Sequence, residues 1–342
     1  MLQLSFPAFS APRMKAWLQL FRVPNLFTVP GDPLAMFLIA TGGMLDIRVL
    51  PVIFASLCLY AAGLAMNDLA DYKEDLQDRP SRPLPSGRVS VKSAWTAVLL
   101  LAGLGIGLLV QFSGQFAAAV GLTLLIHIAL YNFLTKRIPI IGPINMGLCR
   151  TLSAALGAVA GMGPNEMHAT IAAYLYPLHP LEALIVGSNA VTLGLQFFQA
   201  ALICGGLIGI YIAAVTNLAR HETKRDYPKL PRMLPIGAML LGYVILKGYT
   251  GPVFQDQAPM LWVVGLILCA MNASELMKDP PPPLPPRIGG FIRILPVLQA
   301  ALCLVPTVPS FWHKTGASFI CAIVLLGCVP LHAWLGKKFY AS

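Results

Sequence analysis

The sequence predicts an all-α bundle of membrane-spanning helices, and three observations predict it. Charged residues make up only 11% of the 342 and hydrophobic ones 57%, with a mean hydropathy of +0.72, whereas soluble domains carry about 25% charged residues. Ten apolar stretches approach the roughly 20 residues that a helix needs to cross the hydrocarbon core. Basic residues also segregate to one side of the alternation these stretches impose. Too few polar side chains remain to cover a water-facing surface, so the surrounding solvent is read as lipid. The apolar segments run from end to end and argue for a single domain over 1–342.

Within the N-terminal segment 1–23, residues 13–23 read as an interfacial amphipathic helix with Trp17, Leu18, Leu20 and Phe21 toward lipid. A cleavable signal is not expected: Arg13, Lys15 and Arg22 come late, and no small-residue cleavage site follows a compact apolar core. The predicted spans are 24–42, 49–67, 94–112, 115–134, 143–163, 196–216, 232–249, 258–274, 292–308 and 317–335. In the first, Asn25 and Asp32 flank a Pro30-Gly31 break that would open a polar wall to a cavity. The ninth is interrupted by Pro296 and Pro306. Residues 164–195, with Pro177 and Pro180, read as a cap on the outer side rather than another pair of spans. Residues 280–286 form a short polyproline spacer.

With ten spans, the termini and the loops after spans 2, 4, 6 and 8 share one side, which holds 20 of the 24 Lys and Arg. The other side holds Arg48, Lys247 and Lys314, and Arg150 lies within span 5. Both termini are therefore expected in the cytoplasm, with a bacterial inner membrane as the expected setting. The net charge of +10 is a product of this topology and does not point to nucleic acid.

The sequence NDLADYKEDLQDRPSRPLPSGR (67–88) continues from span 2. Five of its first twelve residues are acidic: Asp68, Asp71, Glu74, Asp75 and Asp78. At about 100° per residue, Asp68, Asp71 and Asp75 share one narrow helical face, flanked by Asn67. Three like charges on one face repel, and a divalent cation relieves that. Carboxylates with an amide oxygen are hard ligands suited to Mg²⁺, which typically completes its shell with waters and substrate phosphates. A solvated helix end, paired to Lys73, Arg79 and Arg82, is the plainer alternative. The arginines of RPSRPLPSGR, Arg82 among them, are placed to reach a phosphate.

On the same side, span 6 ends in TNLARHETKRDYP (216–228). Glu222 and Asp226 lie four residues apart on one helical face, Asn217 comes about a turn earlier, and Lys224 and Arg225 can neutralise phosphate charge. A charged loop at a helix end explains this pair as well as a metal site does. Lys136 and Arg137 follow Tyr131 and Asn132 at the end of span 4, and diphosphate contacts or ordinary interfacial anchors explain them equally. Arg150 is an ionisable group inside a span, which favours a polar cavity over a structural arginine. The seven cysteines lie in apolar stretches without a CxxC pair, and the six histidines show no metal-binding spacing.

NDLADYKEDLQDRPSRPLPSGRVS resembles the first aspartate-rich motif of the UbiA superfamily of intramembrane prenyltransferases, NDxxDxxxD followed by RPxRPLPSG. The run GPINMGLCRTLSAALG (142–157) is similar to the span 5 signature of the UbiA-like EboC subgroup. The resemblance implies a bundle of nine or ten spans whose central cavity opens to the cytoplasm and laterally to lipid. It also implies Mg²⁺-dependent transfer of a prenyl group from a polyprenyl diphosphate to a small, lipophilic, often aromatic acceptor. Carried over residue by residue, Asn67, Asp68, Asp71 and Asp75 would hold one Mg²⁺, and Glu222 and Asp226 a second. Lys136 and Arg150 would be diphosphate or cavity contacts; Asn25, Arg82, Tyr131, Lys224 and Arg225 are the further candidates for substrate contact on the residue reading alone. The family's second motif is usually DxxxD, and here Glu222 replaces its first acid.

Tyr60, Tyr131, Phe197 and Phe198 are candidates to shield a carbocation through their π faces, although such aromatics more often face lipid or pack in the core. The competing expectation is a UbiA-like membrane protein without turnover, acting in transport or export of a small molecule.

Overall fold

The computed structural model describes residues 11–163, 188–222, 227–248, 257–305 and 315–340. Every regular element among them is helical. In chain order these are α1 (Ala11–Leu20), α2 (Val23–Leu26), α3 (Gly31–Ala40), α4 (Val49–Ala70), α5 (Tyr72–Asp78), α6 (Val91–Phe112), α7 (Gly114–Leu130) and α8 (Ile141–Met162). They continue with α9 (Ser188–Ala219), α10 (Lys229–Gly248), α11 (Gln257–Leu276), α12 (Leu284–Ile292), α13 (Leu295–Cys303) and α14 (Thr315–Tyr340).

Among the described residues, eight segments are long and apolar enough to cross a membrane, and they match eight of the ten predicted stretches. The fifth stretch is α8, 22 residues long and mostly buried. The ninth is corrected: 292–308 is not one helix. Instead α12 and α13, nine residues each, meet at Arg293 and Ile294. Pro296 lacks the N–H that would bond to the carbonyl of Ile292 and carry the helix across the joint. Of the expected outer cap, residues 188–195 are helical and continuous with α9, and residues 164–187 lie outside the described residues.

The first span is likewise two helices. Its break falls at 27–30, immediately before Gly31, where the Pro30-Gly31 pair predicted it. Asp32 then lies in the first turn of α3, where a negative charge faces the positive end of the helix dipole. In α1, Leu20 and Ala16 are fully buried, so Leu20 faces the protein rather than lipid. The helix packs that side against α4, leaving Trp17 and Phe21 stacked at 5.6 Å on the margin of the core.

The bundle centres on α8, which packs against α3, α7 and α9. Small residues make those approaches possible, as expected where helices associate by close packing in lipid. A Cβ on Gly157 would lie 1.9 Å from the carbonyl oxygen of Pro33 in α3, and one on Gly147 would lie 2.4 Å from that of Gly209 in α9. Backbone cannot yield as a side chain can. Gly157→Ala should therefore destabilise the bundle by about 3 kcal/mol, the upper end of overpacking penalties. Gly103→Ala, on α6 with nothing within 4 Å of its would-be Cβ, is the matched control. Thermal unfolding in detergent should separate the two, and equal midpoints would refute the close contact.

The C-terminal end of α7 departs from regular α geometry. Residues Tyr131–Thr135 form a π-helical turn, closed by the Lys136 amide donating to the Tyr131 carbonyl at 3.0 Å. Such wide turns occur frequently at functional sites.

Candidate functional site

The acidic segment lies where α4 leaves the membrane. Asp71 sits at the joint between α4 and α5, and its carbonyl accepts the Asp75 amide at 2.8 Å, so the turn continues almost unbroken. Asp68 and Asp75 are 6% and 4% exposed, which is unusual for carboxylates. Each of the three acids meets one cation from a different segment. Arg22, between α1 and α2, donates to Asp68 at 3.0 Å. Lys136, just past the π turn, donates to Asp71. Arg82, in the proline-rich loop, donates to Asp75 at 2.7 Å. Arg137 pairs with exposed Glu74 at 2.9 Å.

Arg22 was missed as a site residue by the reading of spans and loops, which treated it as an interfacial charge. Its backbone is left-handed, with φ 42° and ψ 54°, an uncommon conformation for a residue with a side chain. Such outliers persist where the surroundings hold them and gather at binding sites. The signal available in the sequence was its place three residues before Asn25.

The second acidic segment is only partly described. Arg220, at the end of α9, donates to the Arg137 carbonyl at 3.4 Å, which brings this helix end against the first cluster. Arg220, Arg22 and Asp71 all lie within electrostatic reach of Tyr131. Glu222 is exposed and makes no ion pair among the described residues. Asp226, Lys224 and Arg225 lie outside them. A recess at this mouth is lined by Ala70, Asn132, Phe133, Leu134, Lys136 and Arg137. Asn67 and Asn25 are half-buried, and neither side chain bonds to another described residue. Asn132 is buried, its amide donating to the carbonyls of Gly63 and Ile128 at 3.2 and 3.0 Å.

No group of three His, Cys, Asp or Glu among the described residues forms a ready-made metal cage. The donor set nevertheless suits Mg²⁺, because the three ion pairs engage one oxygen of each carboxylate. Mg²⁺ is ordinarily held by one or two carboxylates together with substrate phosphates and waters.

Arg150 does not face an open cavity, contrary to the sequence expectation. It is 6% exposed and bonds to Asp32 at 2.7 Å, to the Thr28 hydroxyl at 2.8 Å and to the Thr28 carbonyl at 3.2 Å. Gln299 of α13 donates to Asp32 and to the Thr28 carbonyl, both at 2.6 Å. Three spans thus meet in one polar knot, because a charge in lipid is tolerable only with such partners. Tyr60 lies beneath the guanidinium, 5.1 Å from ring centroid to carbon. Asp32 belongs to this knot, so the polar wall expected from Asn25 and Asp32 does not form. Phe197 takes the plainer of its two expected roles, core packing. It packs on Gly42, at the far end of the first span from the acids. Thr28 and Gln299 carried no sequence signal. A second knot joins His127 Nδ1 to Asn145 at 2.7 Å and Asn145 to the Thr135 hydroxyl at 3.0 Å, bracing the π turn.

The model of the UbiA prenyltransferase family matches residues 28–278. A digeranylgeranylglyceryl phosphate synthase of Methanopyrus kandleri is 29% identical over 244 residues, covering 67% of this chain and 87% of that protein. The synthase of Sulfolobus acidocaldarius is 32% identical over 155 residues, covering 43% of this chain and 53% of that protein. Among solved structures, one from work on digeranylgeranylglyceryl phosphate synthase superposes with a TM-score of 0.58 at 20% identity, over 86% of this chain and 99% of that one. A UbiA homolog from Aeropyrum pernix K1 gives 0.56 at 14% identity, over 81% and 96%. At those identities the structural likeness establishes the fold.

Proposed function

This chain belongs to the UbiA prenyltransferase family, and from that premise we propose that it transfers a prenyl group from a polyprenyl diphosphate to a small lipophilic acceptor within the membrane, with Mg²⁺ as cofactor. The observation that carries this reading is the alternating charge array in which Asp68, Asp71 and Asp75 each meet one of Arg22, Lys136 and Arg82. A diphosphate needs both signs at once: cations for its own oxygens, and carboxylates for the metal that accompanies it.

Asn67, Asp68, Asp71 and Asp75 would hold one ion, and Glu222 and Asp226 a second. When bound, Mg²⁺ supplies electrostatic stabilisation of the charge that grows on the departing diphosphate. Lys136, Arg22 and Arg82 are close enough to the acids to turn to the phosphate oxygens when the diphosphate arrives, and they supply fixed positive charge there. The C–O bond breaks with its electron pair going to the diphosphate. The acceptor's nucleophilic atom forms the new bond to the allylic carbon and releases its proton. Tyr131, within reach of Asp71, is positioned to shield positive charge on the allylic carbon.

The test is pyrophosphate release from prenyl diphosphates by purified protein, with Mg²⁺ present or removed by chelation. Release that depends on both Mg²⁺ and an acceptor supports the proposal. Solute movement in proteoliposomes with no pyrophosphate released would favour the carrier reading instead. Lys136→Met should raise KM for the prenyl diphosphate about tenfold, the cost of one charge-assisted phosphate contact, while Lys136→Arg retains most of the affinity. An unchanged KM in Lys136→Met removes that residue from the diphosphate site.

A further inference from the structure

Lys136 reaches Asp71 from a short length of backbone that contains two irregular turns. The first is the π-helical turn Tyr131–Thr135, whose last bond is the Lys136 amide on the Tyr131 carbonyl. The second follows at Ile140, where φ is 69° and ψ is −53°, and the Ile141 amide donates to the Pro139 carbonyl at 2.8 Å. Such a γ-turn is the rare, strained kind, and Ile140 is a β-branched residue, a type that ordinarily avoids positive φ. Strain of this sort persists only where the surroundings hold it.

The hold comes from α8 and α4. Asn145 of α8 is 5% exposed and commits its whole amide to the wide turn. Its nitrogen donates to the His127 carbonyl at 3.2 Å and to the Thr135 hydroxyl at 3.0 Å. Its oxygen meets His127 Nδ1 at 2.7 Å. An amide oxygen only accepts, so the ring donates from that nitrogen. One side chain therefore spans the turn, from His127 ahead of it to Thr135, the neighbour of Lys136. α8 also presses on the backbone there: a Cβ on Gly142 would lie 2.8 Å from the Thr135 carbonyl oxygen and 3.0 Å from that of Lys136. On the α4 side, Asn132 ties the turn to the Gly63 carbonyl at 3.2 Å. Among the described residues Asn145 bonds to none of the three acids and not to the Lys136 ammonium.

We infer that Asn145 is a positioning residue for Lys136. By holding the Thr135 hydroxyl it fixes the backbone from which the ammonium reaches Asp71 and, under the prenyl-transfer reading on which this rests, the diphosphate of the donor. A lysine head is a point charge on a flexible four-carbon stem. Its place is set by where the backbone is anchored, since it has no rigid fork to orient it.

The test reads Lys136 directly. Full-length protein in detergent is treated with trace acetic anhydride, and acetylation of Lys136 is compared by mass spectrometry with that of exposed Lys92. In wild type the ion pair with Asp71 shields half-buried Lys136. Thr135→Val keeps the shape and loses the hydroxyl, and it should raise the Lys136 to Lys92 ratio about threefold, the scale of one neutral hydrogen bond. Thr135→Ser keeps the hydroxyl and should retain the wild-type ratio. Asn145→Leu, which removes all three bonds, should raise the ratio further; where it fails to fold, the two Thr135 variants decide.

A cycle with Lys136→Met adds a readout that loose packing alone would not produce. Affinity for farnesyl diphosphate, with Mg²⁺ present, should fall about threefold in Thr135→Val. With Lys136 already replaced by Met, the same change should cost no more than about 1.5-fold, because a residue acting through Lys136 then has nothing to act on. An equal loss in the two backgrounds, or an unchanged acetylation ratio in Thr135→Val, overturns the inference and leaves Asn145 as packing. Failure of the prenyl-transfer reading looks different: wild type would fail to bind farnesyl diphosphate, and the acetylation ratios would still decide the role of Asn145.

Discussion

Asp71→Asn should lower prenyl transfer about a thousandfold or more, comparable to removing a central electrostatic stabiliser from an active site, while the protein stays folded. Asparagine has the shape of aspartate and can still accept a hydrogen bond from Lys136, the partner Asp71 has now. What disappears is one negative charge at the centre of the array, between Asp68 and Asp75. Asp71 occupies the joint of α4 and α5 and is half-buried, so the substitution leaves no cavity. Single-turnover pyrophosphate release, read beside the elution volume and helical circular dichroism, separates chemistry from folding. A variant within threefold of wild type would show that the acid is only a helix-end charge.

Arg150→Met should cost about 3–5 kcal/mol of stability, the range found when one partner of a buried pair is removed. Asp32 is 0% exposed, and without Arg150 its carboxylate keeps, among the described residues, only Gln299 for hydrogen bonding. Much of the loss should return in the double variant Arg150→Met with Asp32→Asn, because the stranded charge is then gone. Thermal unfolding of the two single variants and the double variant gives the coupling directly. Independent, additive losses would mean that the two groups do not act as a pair.

The membrane segments were legible because hydropathy is local: any window of about 20 residues reports itself. The break before Gly31 was legible for the same reason, since Pro and Gly act where they stand. The acidic face of 67–78 could be read from helical spacing, and so could Arg82, seven residues beyond Asp75, but the two distant cations could not. Arg22 and Lys136 reach it from 46 and 65 residues away. Arg150 was correctly marked as unusual and wrongly placed on a cavity. The residues that enclose it, Thr28, Asp32 and Gln299, converge only when three spans pack. Leu20 misled because a lone leucine on a short helix does not say which side faces lipid. The ninth span misled because Pro296 interrupts the helix just inside a run that hydropathy alone joins up.

The wide turn at Tyr131–Thr135 accommodates one more residue than an ordinary helical turn. One residue is worth about 100° of rotation about the axis. Deleting a single residue from this turn would regularise the helix and swing the ammonium of Lys136 roughly a quarter of a circle away from Asp71, while everything nearer the bilayer centre kept its azimuth. The bulge acts as a phase shifter: it lets the span pack in one register and present its terminal charge in another.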